Sequence, residues 1–314
     1  MDYYFSYYRG RFVYDAKEYL GAIRAGFFNI VYDAKNRKKM LNEIEKLIDY
    51  NSSVDLYAYA HLLFDDGSSS SIDKAYNILD IIVSWNYIPA KHLLGQMYFY
   101  GIGVHKDYKK FYELTLEAAN CNFMLSKNAL ALAYFNGYGC NIDYQKGQKL
   151  LEECIDAHYG MAFYNIGIGY LKGTCGYPKD IYKAFNYLKQ AADQFNSKAL
   201  YNVGLMYIKG DGCVKDVKKG LNELMTAASI GHLKSQIKAA DSYYFGEITQ
   251  KNYELAYEYY LMAAEAGDAY AMYSVGYMIV NKEKSWVERY VGIDWLRKAA
   301  DLGYEAAKEL LKKI

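Results

Sequence analysis

Proline is almost missing from this chain: Pro89 and Pro178 are the only two in 314 residues. A proline inside a helix removes an amide donor and clashes with the preceding turn, so long helical stretches here run uninterrupted. Net charge is nearly missing too, with 37 basic residues against 36 acidic ones. That balance excludes a global electrostatic pull toward nucleic acid or an acidic membrane surface. Cysteine is sparse and odd in number, and Cys121, Cys140, Cys154, Cys175 and Cys213 show no tight pairing pattern. Free thiols in a reducing compartment are expected. No apolar run reaches the roughly 18 residues needed to span a bilayer. The opening MDYYFSYYRGR has no apolar stretch after a basic start, as a secretory leader would. The chain therefore reads as cytoplasmic.

Catalytic signatures are absent as well. There is no phosphate-binding loop and no nucleophile elbow. Cys154 and His158 stand four apart, so one helix face can carry both. Two ligands are too few for a structural zinc site, and no second pair accompanies them. Gly167, Gly169 and Gly173 imitate a dinucleotide fingerprint but follow no strand. The expectation is a chain with no catalytic residues, no metal, no cofactor and no small-molecule substrate.

Tyrosine is what the chain has in excess: 38 residues, against 13 phenylalanines and 3 tryptophans. Tyrosine buries a large ring while keeping a hydroxyl for water or a partner, which suits half-buried surfaces and interfaces.

A repeat organises the rest. Anchor positions fall at Ala75, Phe111, Gly147, Ala184, Gly220, Ala256 and Gly292, in steps of 36, 36, 37, 36, 36 and 36. Seven and eight residues past the anchor come Ala118-Ala119, Ala191-Ala192, Ala227-Ala228, Ala263-Ala264 and Ala299-Ala300. Sixteen or seventeen before it lie Gly95, Ala131, Gly167, Gly204, Ala240 and Gly276, with Tyr98, Tyr134, Tyr170, Tyr207 and Tyr243 three further on. Both segments of each unit carry apolar residues at helical spacing. Asp107, Asp143, Asp180, Asp216, Asn252 and Glu288 open the second segment, where a short polar side chain caps a helix. Gly231, Gly267 and Gly303 sit eleven past their anchors, where they close it. Each unit is thus helix A, a glycine-bearing loop, helix B and a tight turn. A helix pair of this size cannot bury its apolar face alone, so neighbours stack. The fold expected is an all-α solenoid of helix-turn-helix repeats. Residues 1–50 form an N-terminal segment and degenerate capping repeat, 51–306 hold about seven units, and 307–314 close the array. The small residues set the helix spacing: Ala191→Leu should overpack by about 1–3 kcal/mol.

The strings AKHLLGQMYFYGIGVHKDYKKFYELTLEAA and ALYNVGLMYIKGDGCVKDVKKGLNELMTAASIGH resemble the Sel-one-like repeat (SLR) family, cousins of the tetratricopeptide repeats. The match covers residues 54 to 307. It departs from the family pattern at His61, which takes the glycine position, and at 279–284, where the loop glycines are missing. The resemblance implies a right-handed superhelix whose concave face binds a protein or peptide. Family members are adaptors in protein quality control, signalling regulators, and bacterial host-interaction or immunity factors.

By analogy with the tetratricopeptide groove, helix A turns its second, fifth, ninth, twelfth and thirteenth positions to the concave face. With the helix A glycine as the eighth, this assigns His92, Gln96, Phe99, Tyr100, Asn128, Phe135, Asn136, Tyr164 and Lys172. It then assigns Tyr201, Lys209, Asp241, Tyr244, Tyr273 and Tyr277. Rigid aromatics suit the anchoring of a peptide, and the lysines suit a carboxylate. The same tyrosines also suit a tightly wound packed interior. Two rival readings stand beside the scaffold. One is single-stranded RNA binding, which the near-neutral charge disfavours because phosphate contacts need a basic stripe. The other is a purely structural spacer.

Overall fold

The computed structural model describes residues 11–12, 15–26, 30–31, 36–246, 248–281 and 287–314. Most of the tyrosine-rich stretch 1–18 therefore lies outside the described residues. Seventeen helices are present among them, with one pair of two-residue parallel strands, β1 (Arg11–Phe12) and β2 (Ile30–Val31). The chain divides into two compact units, Met1–Lys179 and Asp180–Ile314.

The first unit opens with α1 (Ala16–Arg24) and α2 (Arg37–Ile44), which pack on α3 (Ser53–Asp66). Tyr19, Ile23, Met40 and Ile44 are fully buried in that contact. An ion pair locks it: the Arg24 guanidinium reaches Asp55 at 2.8 and 2.5 Å, and the Asp55 carboxylate also accepts from the Asp49 amide. The repeats follow as α4 (Ser69–Ser84), α5 (Ile88–Tyr100), α6 (Tyr108–Asn120), α7 (Met124–Asn136), α8 (Tyr144–Asp156) and α9 (Gly160–Lys172). Each packs on the next. Two buried lysines set one repeat apart in α5 and α7, Lys91 and Lys127, reach Glu117 and Glu153 at 2.7 and 2.6 Å.

The second unit holds α10 (Ile181–Asp193), α11 (Ser197–Lys209), α12 (Val217–Ser229), α13 (Leu233–Phe245) and α14 (Tyr253–Glu265). It ends with α15 (Ala269–Val280), α16 (Arg289–Asp301) and the short α17 (Glu305–Leu311). Backbones cross closely where two glycines meet. A Cβ on Gly204 would stand 2.9 Å from the Gly220 carbonyl oxygen, and one on Gly276 would stand 2.7 Å from that of Gly292. The alanine pairs of helix B are buried at the seams, Ala191 fully and Ala192 nearly so, with Ala300 alone of this unit's pairs half-buried.

The caps follow the reading, with one exception. Asp107, Asp143, Asp180, Asp216 and Asn252 each accept amides of the helix they open. Glu288 makes no such bond, since its extra methylene misplaces the carboxylate for the first-turn amides. Eleven past the anchor, every unit turns left-handed, whether or not glycine is there. Asn86, Asn122, His158 and Phe195 take φ of 59°, 64°, 56° and 59° where the other units use glycine.

Candidate functional site

Two sets of tyrosines on the A helices differ in their surroundings. Those three past the helix A glycine are packing residues between the paired helices. Tyr98 and Tyr134 meet Tyr76 and Tyr112 through their hydroxyls at 3.3 and 3.1 Å. Lys110, Lys146 and Lys219 stand over the rings of Tyr98, Tyr134 and Tyr207. The second group lies at the positions assigned to the groove, and there each register position has its own surroundings.

The thirteenth position is exposed throughout: Tyr100, Asn136, Lys172 and Lys209 all face solvent. Lys172 and Lys209 also end their helices, where a cation complements the helix macrodipole. The ninth position, Gln96, Asp241 and Tyr277, is half-buried. The fifth abuts the next repeat. There His92 is buried and meets Ser126 Oγ at 3.0 Å, while Gln96 Nε2 meets its other ring nitrogen at 3.0 Å. Asn128 is buried and accepts from Asn165 Nδ2 at 2.7 Å. Tyr201 lies 5.2 Å from the His232 ring, and Tyr164 is half-buried, which raises its phenol pKa.

The twelfth position leans on helix B of its own repeat. Phe99 contacts Phe111 with ring centroids 4.9 Å apart, within a cluster that includes Tyr108 and Tyr138. Phe135 is only 6% exposed, because the anchor facing it is Gly147 and its ring fills the space a side chain would take. His92, Asn128 and Phe135 are therefore packing residues here, where the register had placed them on an open face.

In the second unit the register brings residues together. Tyr244 of α13 meets Tyr273 and Tyr277 of α15 around one pocket of about 270 Å³, with Phe245, Tyr260, Tyr270 and Ser274 completing its lining. The rings interlock: Tyr244 meets Tyr260 at 6.2 Å, Tyr260 meets Tyr270 at 5.9 Å, and Tyr273 meets Tyr277 at 5.8 Å. Asp241 stands behind the lining. Its Oδ1 accepts from Tyr260 at 2.6 Å and from Tyr270 at 2.9 Å. Burial, then the neighbouring Asp241 carboxylate, pushes the Tyr260 phenol far up, so both hydroxyls stay protonated donors. The pocket falls below the roughly 300–1,000 Å³ of typical small-molecule sites. It suits one large side chain.

Sequence reasoning missed Tyr260 and Tyr270. Tyr270 occupies the second position of α15, which the same register would have assigned. Tyr260 lies four past its anchor, where five other units carry Leu79, Leu151, Leu188, Leu224 and Leu296, all fully buried. The departure from leucine was the available signal. Among the described residues, no group of three or more His, Cys, Asp or Glu side chains is placed to hold a metal, and no helix is long and apolar enough to cross a membrane.

The Sel1 repeat profile matches residues 88–123, 125–153, 155–194, 197–222, 233–268 and 287–304. No curated protein sequence matches the chain. Among solved structures, a Sel1 repeat protein from Oxalobacter formigenes is similar at 24% identity with a TM-score of 0.62, over 77% of this chain and 98% of that one. A protective antigen present in uropathogenic Escherichia coli strains, displaying an SLR fold, is 22% identical with a TM-score of 0.60 over 86% of this chain. The chain spans 58% of that antigen's length. The human IFIT1 dimer with PPP-AAAA is similar at 13% identity and a TM-score of 0.50, over 92% of this chain and 73% of that one. The likenesses concern the fold, a stacked helical solenoid. With more than half of its residues matched by the repeat profile, the chain belongs to the Sel1 repeat family, whose members are generally non-catalytic scaffolds for protein–protein interaction.

Proposed function

We propose that the chain is a scaffold that binds a partner polypeptide on its helix A faces, with the tyrosine pocket of the second unit as the principal docking point. The observation that carries this reading is convergence. Tyr244, Tyr273 and Tyr277, three of the residues assigned by register, line one open pocket, and Asp241 accepts hydrogen bonds from two more of its lining residues, Tyr260 and Tyr270. A rigid ring offers large contact area for little conformational entropy, which is why tyrosines anchor interfaces. The exposed Tyr100, Lys172 and Lys209 and the half-buried Gln96, Phe99, Tyr164 and Tyr201 remain as further contacts on their own units.

The test is affinity capture from host lysate with wild type beside a Tyr273→Ala/Tyr277→Ala variant of unchanged helicity. A protein retained by wild type and lost by the variant is the expected result. Equal retention by both would overturn the pocket as docking point. Loss on nuclease treatment, with a steep fall in rising salt, would favour the RNA reading, which the near-neutral charge of the chain disfavours.

A further inference from the structure

We propose that the pocket of the second unit receives an arginine side chain from the partner polypeptide; this rests on the scaffold reading above. Asp241 is half-buried, and among the described residues it forms no ion pair. Its Oδ1 is held by the hydroxyls of Tyr260 and Tyr270, so the carboxylate has a fixed place behind an aromatic wall. Both tyrosines line the pocket while their hydroxyls donate to the carboxylate. A carboxylate thus stands one hydrogen bond behind the aromatic lining of one small, open space.

The chemistry that complements such a space is a cation. Ring faces carry the negative end of the aromatic quadrupole, and they attract a desolvated cation more strongly than an exposed one. A neutral apolar side chain would fill the volume but leave the carboxylate uncompensated. An anionic side chain would be repelled by it. Between the two natural cations, the guanidinium is the better fit. It is planar, stacks on rings and is weakly hydrated, and the carboxylate behind the lining attracts its charge. An ammonium is a compact, strongly hydrated point charge that loses more on entering a ring-lined site.

Three short peptides with blocked termini test this, identical except for a central arginine, lysine or citrulline. Citrulline keeps the shape of arginine and removes its charge. Each is titrated to tens of millimolar into protein carrying 3-fluorotyrosine at position 277, followed by fluorine NMR. The arginine peptide should give a saturable shift, with citrulline and lysine at least about ten-fold weaker. Asp241→Asn, which keeps an oxygen for the two hydroxyls, should weaken the arginine peptide about ten-fold without changing thermal unfolding by more than a few degrees. Equal binding of citrulline, or indifference to Asp241→Asn, would overturn the charge argument while leaving the docking reading intact. Equal binding of lysine would overturn the preference for arginine. No shift with any peptide, together with partner capture that survives Tyr273→Ala/Tyr277→Ala, would overturn both.

Discussion

Tyr260 donates its hydroxyl to Asp241 Oδ1 across 2.6 Å, tying helix B of one repeat to its own helix A. The same position holds a fully buried leucine in five other units, so this repeat has exchanged an apolar contact for a hydrogen bond to a carboxylate. Tyr260→Phe keeps the ring and removes the bond. It should lower the stability of the second unit by about 1.5–3 kcal/mol, the range for hydrogen bonds to charged groups. Urea unfolding followed by circular dichroism measures this; a change within error would mean that Tyr270 alone holds the carboxylate.

Gly147 and Phe135 form a second specific pair. A Cβ on Gly147 would stand 2.3 Å from the Phe135 ring. Gly147→Ala should therefore cost about 1–3 kcal/mol by overpacking. Adding Phe135→Leu should recover part of that loss, and a double-mutant cycle in urea reads the coupling. Additive losses would show that the ring moves aside freely.

His158 is exposed and holds φ at 56°, a conformation that costs a side-chain-bearing residue about 1–2 kcal/mol. The units with Gly231, Gly267 and Gly303 avoid that cost. His158→Gly should raise stability by about 1 kcal/mol after the greater freedom of glycine in the unfolded chain is offset. The thermal midpoint should rise; a fall would show that the imidazole makes a contact of its own.

His92 makes the first unit acid-sensitive. Burial, with the neighbouring His61 adding to it, pushes the His92 imidazole down to about 4. The unfolded chain takes up a proton near pH ~6.5, which the folded chain refuses until the lower value. Stability is therefore fully present above pH ~6.5, falls as the pH drops toward ~4, and loses up to about 3 kcal/mol across that window. His61, also lowered by burial, acts in the same direction. Urea midpoints measured from neutral to mildly acidic pH should fall, and His92→Gln should flatten the slope by about one proton. A slope unchanged by that substitution would place the titrating group elsewhere.

Much of the fold was legible because its rules are local. The anchor spacing, the aspartate caps and the alanine pairs each act within a turn or a neighbouring helix, so period and composition reveal them. The left-handed turns at Asn86, Asn122, His158 and Phe195 were not legible. Glycine marks such a turn in three units, but elsewhere the packing of two helices imposes it on residues that do not prefer it.

The candidate site divides along the same line. The register by itself singled out Asp241, Tyr244, Tyr273 and Tyr277 as members of one set of helix A positions. Only the tertiary structure decided which of those positions remain open, because exposure depends on the volume of the residue opposite. Gly147 leaves a hole that the Phe135 ring fills, whereas the tyrosines of α13, α14 and α15 leave a pocket between them. Volume across an interface is a property of two distant segments, and no period within either one contains it.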